Sequence, residues 1–193
     1  MRAFVVAMEC EAARVRPLMK DSDRLYVCGI GKVNAAAATQ KAIDEGAREI
    51  VNAGVVGGFS GEMESGDVFE VSAAVEYDFD LSEVNGTLAG QLEEFPSPYL
   101  PMELKGVFPS CRLASGDHFT DNPAEAEVLE RLGCSIRDME GAAIAHVCLS
   151  NSVKCRSLKC VSDVHGKGSM IAQYKRNLEF ALDRLEQALA AWI

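Results

Sequence analysis

Arg137-Asp138-Met139-Glu140-Gly141-Ala142-Ala143-Ile144-Ala145-His146-Val147-Cys148 is the stretch on which the fold turns. Two acids bracket a methionine at the start of an Ala-rich apolar run, and that run reads as a helix. Acids in a first helical turn complement the partial positive charge of that end. From Gly141 onward nearly every side chain is small or apolar, so the helix is expected to be buried on most sides. A carboxylate at the mouth of a buried helix must find a partner or serve a ligand, and Asp138 and Glu140 are open to either role, cap or site. Gly141 would let a backbone or ligand come close. The short run Cys134 to Ile136 just before it suits a strand. The local order is therefore strand, polar cluster, helix.

The same order recurs outward from this point. Ala3 to Ala7 is a continuous apolar run suited to a buried strand, with Met8-Glu9-Cys10-Glu11 after it and a helix from Glu11 to Met19. Arg24 to Cys28 is a second strand, ending in Gly29-Ile30-Gly31-Lys32, with a helix from Val33 through Ala35 to Ala38. Arg48 to Asn52 is a third, ending in a glycine-rich turn from Ala53 to Gly58. Val68 to Val75 and Val107 to Ala114 read as strands, the latter followed by Ser115-Gly116-Asp117-His118-Phe119-Thr120. Pro123 opens a helix to Leu132 with Asn122 as N-cap. Ser157 to Val161 is a strand ending in Ser162-Asp163, and Tyr174 to Trp192 is an amphipathic helix. Glu76 to Met102, with Pro96, Pro98 and Pro101, is too rich in turn formers for one element. Its length hints at a functional or interface role. Tyr77, Phe79, Leu81, Leu92, Phe95 and Tyr99 in this segment are expected to need cover. Strands alternating with helices indicate an α/β fold, a three-layer α/β/α sandwich around a mixed, mostly parallel central sheet, in one domain over residues 1–193. In such sheets ligands bind past the carboxyl ends of strands, where all six polar or glycine-rich clusters fall.

Composition excludes other classes. A formal net charge of -10 argues against a nucleic-acid or anionic-membrane partner, both of which need a basic face. The seven cysteines are odd in number, lack a C-x-x-C pair and sit mostly in apolar runs, which points to free thiols in a reducing cytoplasm rather than disulfides or zinc. No run reaches transmembrane length, no His/Cys/Asp spacing suggests a metal, and Gly29-x-Gly31 lacks the third glycine of a dinucleotide fingerprint. His146, within the apolar helix, is expected to be a hydrogen-bonded core residue.

Taken in order, Ala7-Met8-Glu9-Cys10-Glu11, Gly29-Ile30-Gly31-Lys32-Val33, Asn52-Ala53-Gly54 with Gly57-Gly58, Ser115-Gly116-Asp117 with Phe119, Asp138-Met139-Glu140 and Val161-Ser162-Asp163 resemble the nucleoside phosphorylase/nucleosidase superfamily over almost the whole chain. The nearest branch is the methylthioadenosine/S-adenosylhomocysteine nucleosidases, with futalosine hydrolases a near neighbour. The resemblance implies hydrolysis of the N-glycosidic bond of a 5′-substituted adenosine, without cofactor, by a homodimer whose Glu76 to Pro101 loop closes a partner's site. Such cleavage builds positive charge on the ribose and negative charge on the base, so it needs an acid, a base and an acceptor for the sugar hydroxyls. By resemblance Asp163 protonates the purine, oriented by Ser162, and Glu11 activates water. Glu140 holds the ribose hydroxyls, Met139 packs on the sugar, Phe119 stacks on the base, and the Thr120 backbone reads the purine edge. Gly54 and Val55 belong to the glycine-rich turn at the site.

Two positions depart from the family pattern. Val55 stands where relatives carry Ser, and Lys159 where they carry Arg; neither replacement offers the original hydrogen bonding. Both weaken a phosphate site, favour water as acceptor, and leave three alternatives: futalosine hydrolysis, phosphorolysis, and a nucleoside-binding protein with impaired catalysis. Lys32 is expected to be solvated or to face a partner subunit.

Overall fold

The computed structural model describes residues 1–119 and 121–193. Among these, the apolar runs form strands β1 (Arg2–Val6), β2 (Arg24–Val27), β3 (Glu49–Gly58), β4 (Val68–Glu76), β5 (Leu100–Pro101), β6 (Ser110–Ser115), β7 (Ile136–Asp138) and β8 (Lys154–Val164). The helices are α1 (Glu9–Val15), α2 (Lys32–Asp44), the single turn α3 (Ser82–Asn85), α4 (Pro123–Arg131), α5 (Gly141–Ser150) and α6 (Met170–Trp192). None of them is long and apolar enough to cross a membrane.

The sheet is mixed. β2, β1, β3 and β8 run parallel in that order, β8 meets β4 antiparallel, and β4, β6 and β7 are again parallel. β7 then returns to β3 antiparallel, Gly57 opposite Arg137 and Gly58 opposite Ile136, so β3, β8, β4, β6 and β7 close into a ring. The period of two along β1 distributes its side chains to two cores. Ala3 and Val5 join Ala35 of α2 and Ile144 of α5, while Phe4 and Val6 join Ala12 of α1 and Leu185 of α6.

The glycine-rich segment is the chief difference from the sequence reading. Ala53 to Gly58 is not a turn but the second half of β3, paired with β8 along its length and with β7 at its end. Small residues are needed there because neighbours crowd the strand on both sides. β8 is accordingly longer than Ser157 to Val161, and α6 begins at Met170, before Tyr174. Asn122 caps α4 as expected, its Oδ1 accepting from the Ala124 N–H at 3.1 Å. His146 is paired as expected, its ring 3.3 Å from Glu76 Oε1 and 3.2 Å from Glu94 Oε1, but it is only half-buried rather than in the core. Lys32 Nζ, expected to be solvated or to face a partner subunit, sits 2.6 Å from Asp78 and 3.3 Å from Glu76. The apolar residues of 76–102 are largely covered by their own chain: Tyr77 and Leu92 are buried, and Phe79, Phe95 and Tyr99 pack against core clusters.

Val107 and Phe108 were expected to extend β6. They instead wrap a buried carboxylate: Glu70 accepts the backbone N–H groups of Lys105, Gly106, Val107 and Phe108 at 2.6–3.2 Å. Burial pushes the Glu70 carboxyl up, but these four donors outweigh it and hold it below the usual carboxylate range. A depressed folded-state value stabilises above the unfolded value, and that contribution is lost as pH falls through the folded one. Glu70→Gln is therefore expected to cost about 1–3 kcal/mol at neutral pH, with the difference from wild type vanishing in acid. Thermal melts across pH check this.

Candidate active site

The carboxyl ends of β1, β3, β7 and β8 border one cleft with about 530 Å³ of empty volume. Glu11, Val55, Phe119, Met139, Glu140, Ser162 and Asp163 all line it. Thr120 lies outside the described residues.

Glu11 arrives through the first turn of α1. Three residues after Met8, its side chain folds back so that Oε2 accepts from the N–H groups of Ala7 (3.1 Å) and Met8 (3.0 Å). Oε1 accepts from Val55 N–H at 3.0 Å. Burial, at 3% exposure, raises the carboxyl above its ordinary range, opposed by the Lys159 ammonium and these N–H donors. Gly54 does not line the cleft; it stands behind Glu11, and a Cβ there would collide with Glu11 Oε1. Gly54→Ala is expected to displace Glu11 and lower turnover at least tenfold, since misplacement by about 1 Å can cost about 10²-fold. Steady-state kinetics on a variant of unchanged circular dichroism would show it.

The acids of the starting stretch divide the two roles left open. Asp138 is the cap: its Oδ1 accepts from the Glu140 and Gly141 N–H groups at 3.1 Å each and from the Ser115 hydroxyl at 2.6 Å. Its Oδ2 pairs with Lys159 Nζ at 2.8 Å. Glu140 caps nothing with its side chain; its Oε1 accepts from Gly31 N–H at 2.8 Å. Burial, then the neighbouring Asp138 charge, pushes the Glu140 carboxyl up to about 7. Lys159 is 2% exposed and lies behind the cleft rather than on its wall. Burial alone would lower its pKa, but Asp138, and more weakly Glu11 and Glu140, raise it, so the ammonium stays charged among three carboxylates.

Asp163, at the end of β8, is 1% exposed. Its Oδ1 accepts from the Ser162 hydroxyl at 2.6 Å, and its Oδ2 has no hydrogen-bond partner among the described residues. Burial pushes this carboxyl up to about 6, against the Ser162 hydroxyl and the Arg137 charge. An acid held near neutrality with one oxygen unengaged in a cleft is suited to donate a proton.

Two lining residues escaped the sequence reading. Tyr174, in the first helical turns of α6, meets Phe119 edge-on at 6.0 Å and reaches Met8 Sδ with its hydroxyl. Arg137 lines the cleft from β7, and its only sequence signal was a charge inside a short strand. Among the described residues no group of acids, histidines and cysteines is arranged to hold a metal.

Comparison with known proteins gives a family and a fold. The Phosphorylase superfamily profile matches residues 24–193. A Marinomonas sp. 5′-methylthioadenosine/S-adenosylhomocysteine nucleosidase is 31% identical over 161 residues, covering 75% of this chain and 69% of the relative. The Thermotoga maritima protein of the same name is 33% identical over 156 residues, covering 78% and 69%. In fold, the chain is similar to the Helicobacter pylori 5′-methylthioadenosine/S-adenosylhomocysteine nucleosidase (TM-score 0.87, 19% identity, 98% of this chain and 96% of that one). It is equally similar to the futalosine hydrolase of the same organism (TM-score 0.87, 20% identity, 97% and 94%).

Proposed function

Because the chain belongs to the Phosphorylase superfamily, we propose that it is a purine nucleosidase hydrolysing the N-glycosidic bond of a 5′-substituted adenosine such as methylthioadenosine or S-adenosylhomocysteine. The observation that carries this is the convergence of Glu11, Glu140 and Asp163, far apart in sequence, on one cleft in three different environments. In this reading Asp163, oriented by Ser162, gives its proton to the purine as the C–N bond breaks and its electrons pass to the base. Glu140 accepts a hydrogen bond from the ribose hydroxyls, and Met139 packs on the sugar. Glu11 takes a proton from the water that adds to the anomeric carbon of the oxocarbenium-like sugar. Phe119, with Tyr174 against it, flanks the base, while Val55 contributes its N–H to Glu11 rather than a side chain to substrate.

Water is favoured over phosphate as the acceptor. The lining carries Glu11, Asp138, Glu140 and Asp163 against Arg137, a balance that repels an incoming phosphate dianion. We also read the helix-covered sheet as the three-layer α/β/α frame, and a homodimer as the working unit. Exposed Ile30 and Val33 at the rim beside Met139 support a second copy closing the cleft. Incubating the protein with purine nucleosides, with and without phosphate, tests the reaction: free base and free sugar are expected at equal rates in both. Release that requires phosphate and yields the sugar 1-phosphate would refute it.

A further inference from the structure

Lys32 stands at the first position of α2, where a cation opposes the partial positive charge of the helix end. Local preference does not put it there; its partners do. The ammonium lies 2.6 Å from Asp78 and 3.3 Å from Glu76, where the chain leaves β4, and the side chain is 17% exposed. Glu76 is held in turn by the His146 ring of α5 at 3.3 Å. Burial lowers the Lys32 pKa, but the two carboxylates more than restore it, so the ammonium stays charged.

The backbone beside it is fixed by the same group. Lys32 N–H donates to Asp117 Oδ1 at 2.8 Å, and Asp117 N–H donates to Asp78 Oδ2 at 3.0 Å. Asp78 therefore grips the ammonium directly and the Lys32 amide through Asp117. One residue earlier, Gly31 has a φ of 105°, a conformation that favours glycine, and a Cβ there would come within 3.3 Å of Asp117 Oδ1. In this conformation Gly31 aims its N–H at Glu140 Oε1, 2.8 Å away, the one side-chain hydrogen bond of Glu140 among the described residues. That N–H favours the ionised carboxylate over the protonated form. The other ionisable groups around Glu140 are Asp138, Glu11, Lys159 and the Cys28 thiol, and none of them belongs to α2.

We propose that Lys32 is a positioning residue for the hydrolysis: clamped by Asp78 and Glu76, it fixes the turn into α2 so that the Gly31 N–H holds Glu140 in place for the ribose hydroxyls. The role of Glu140 rests on the nucleosidase reading above; the way it is held does not. The test measures kcat/KM for methylthioadenosine across pH in wild type, Lys32→Met and Lys32→Arg. Glu140 must be ionised while Asp163 is protonated, so a weaker Gly31 contact leaves less of the enzyme competent. Lys32→Met is expected to lower kcat/KM about tenfold and to move the optimum to higher pH, with Lys32→Arg between. Should Lys32→Met fail to fold with two carboxylates left together, Lys32→Met/Asp78→Asn takes its place. A loss of turnover with the optimum unmoved marks a merely structural role and overturns the proposal, as does a wild-type profile. Nuclear magnetic resonance of the isotope-labelled protein reads the contact without turnover. The Gly31 amide is expected to follow the titration of Glu140 in wild type, to stop doing so in Glu140→Gln, and to follow it more weakly in Lys32→Met. A Gly31 titration unchanged in Lys32→Met overturns the proposal. If no nucleoside is cleaved, the nucleosidase reading fails, and the Gly31 resonance alone decides whether Lys32 holds Glu140.

Discussion

Asp163→Asn is expected to abolish base release, lowering kcat by about 10²–10⁴-fold, while making the protein more stable at neutral pH. Both effects have one cause. The Asp163 carboxyl is buried with an oxygen that no hydrogen bond engages among the described residues, and burial holds it near 6, far above its ordinary range. A carboxyl whose folded-state value lies above its unfolded one costs stability wherever the unfolded chain is ionised, and the cost fades in acid below the unfolded value. Asn keeps the shape and removes the charge, so a gain on the order of 1–3 kcal/mol at neutral pH is expected, disappearing in acid. A group that merely supported the structure would lose stability along with activity. The pH profile adds a second check. Asp163 must be protonated and Glu140 ionised, so kcat/KM should rise as Glu140 titrates near 7 and fall as Asp163 loses its proton near 6. That combination gives a bell with its maximum between those values, and a profile flat from about pH 5 to about pH 8 would remove both assignments.

Glu11→Gln is the second large effect, with a similar loss in kcat of about 10²–10⁴-fold but without the stability gain expected of Asp163→Asn. Both Glu11 oxygens accept backbone N–H groups, from Ala7 and Met8 on one side and Val55 on the other. An amide must turn its own NH₂ toward one of these donors, leaving buried groups unsatisfied at a cost of about 1–3 kcal/mol, which offsets what is returned by removing a charge that burial disfavours. It also leaves Lys159 with one carboxylate fewer to balance its buried charge. Single-turnover base release combined with thermal melts distinguishes the two variants: one inactive and stabilised, the other inactive without that gain. Full turnover in Glu11→Gln would mean that the water is activated elsewhere.

Much of the site was legible because each of its acids follows an apolar run, and a run that must be buried announces a strand whose end carries function. The clusters were placed this way, and the family resemblance singled out Glu11, Glu140 and Asp163 within them, which share the cleft with Met139, Phe119 and Ser162. The starting stretch could not say which acid caps and which faces the cleft, because that depends on Ser115 and Lys159, distant in sequence, which claim Asp138. Gly54 showed itself as a glycine of note, but its purpose, room for a carboxylate from α1, exists only once α1 packs against β3.

The linear chain by itself determined the α/β alternation, the strand-end placement of the acids and the acidic balance of the protein. These follow from local periodicity, turn chemistry and composition, which need no knowledge of distant neighbours. The tertiary structure alone decided that β3 runs on through its glycines, that β7 closes back on it, and that Arg137 and Asp163 face each other across Gly57. Strand register is set by which surfaces pack together in three dimensions, and a residue's neighbours across a sheet leave no trace in the order of the chain.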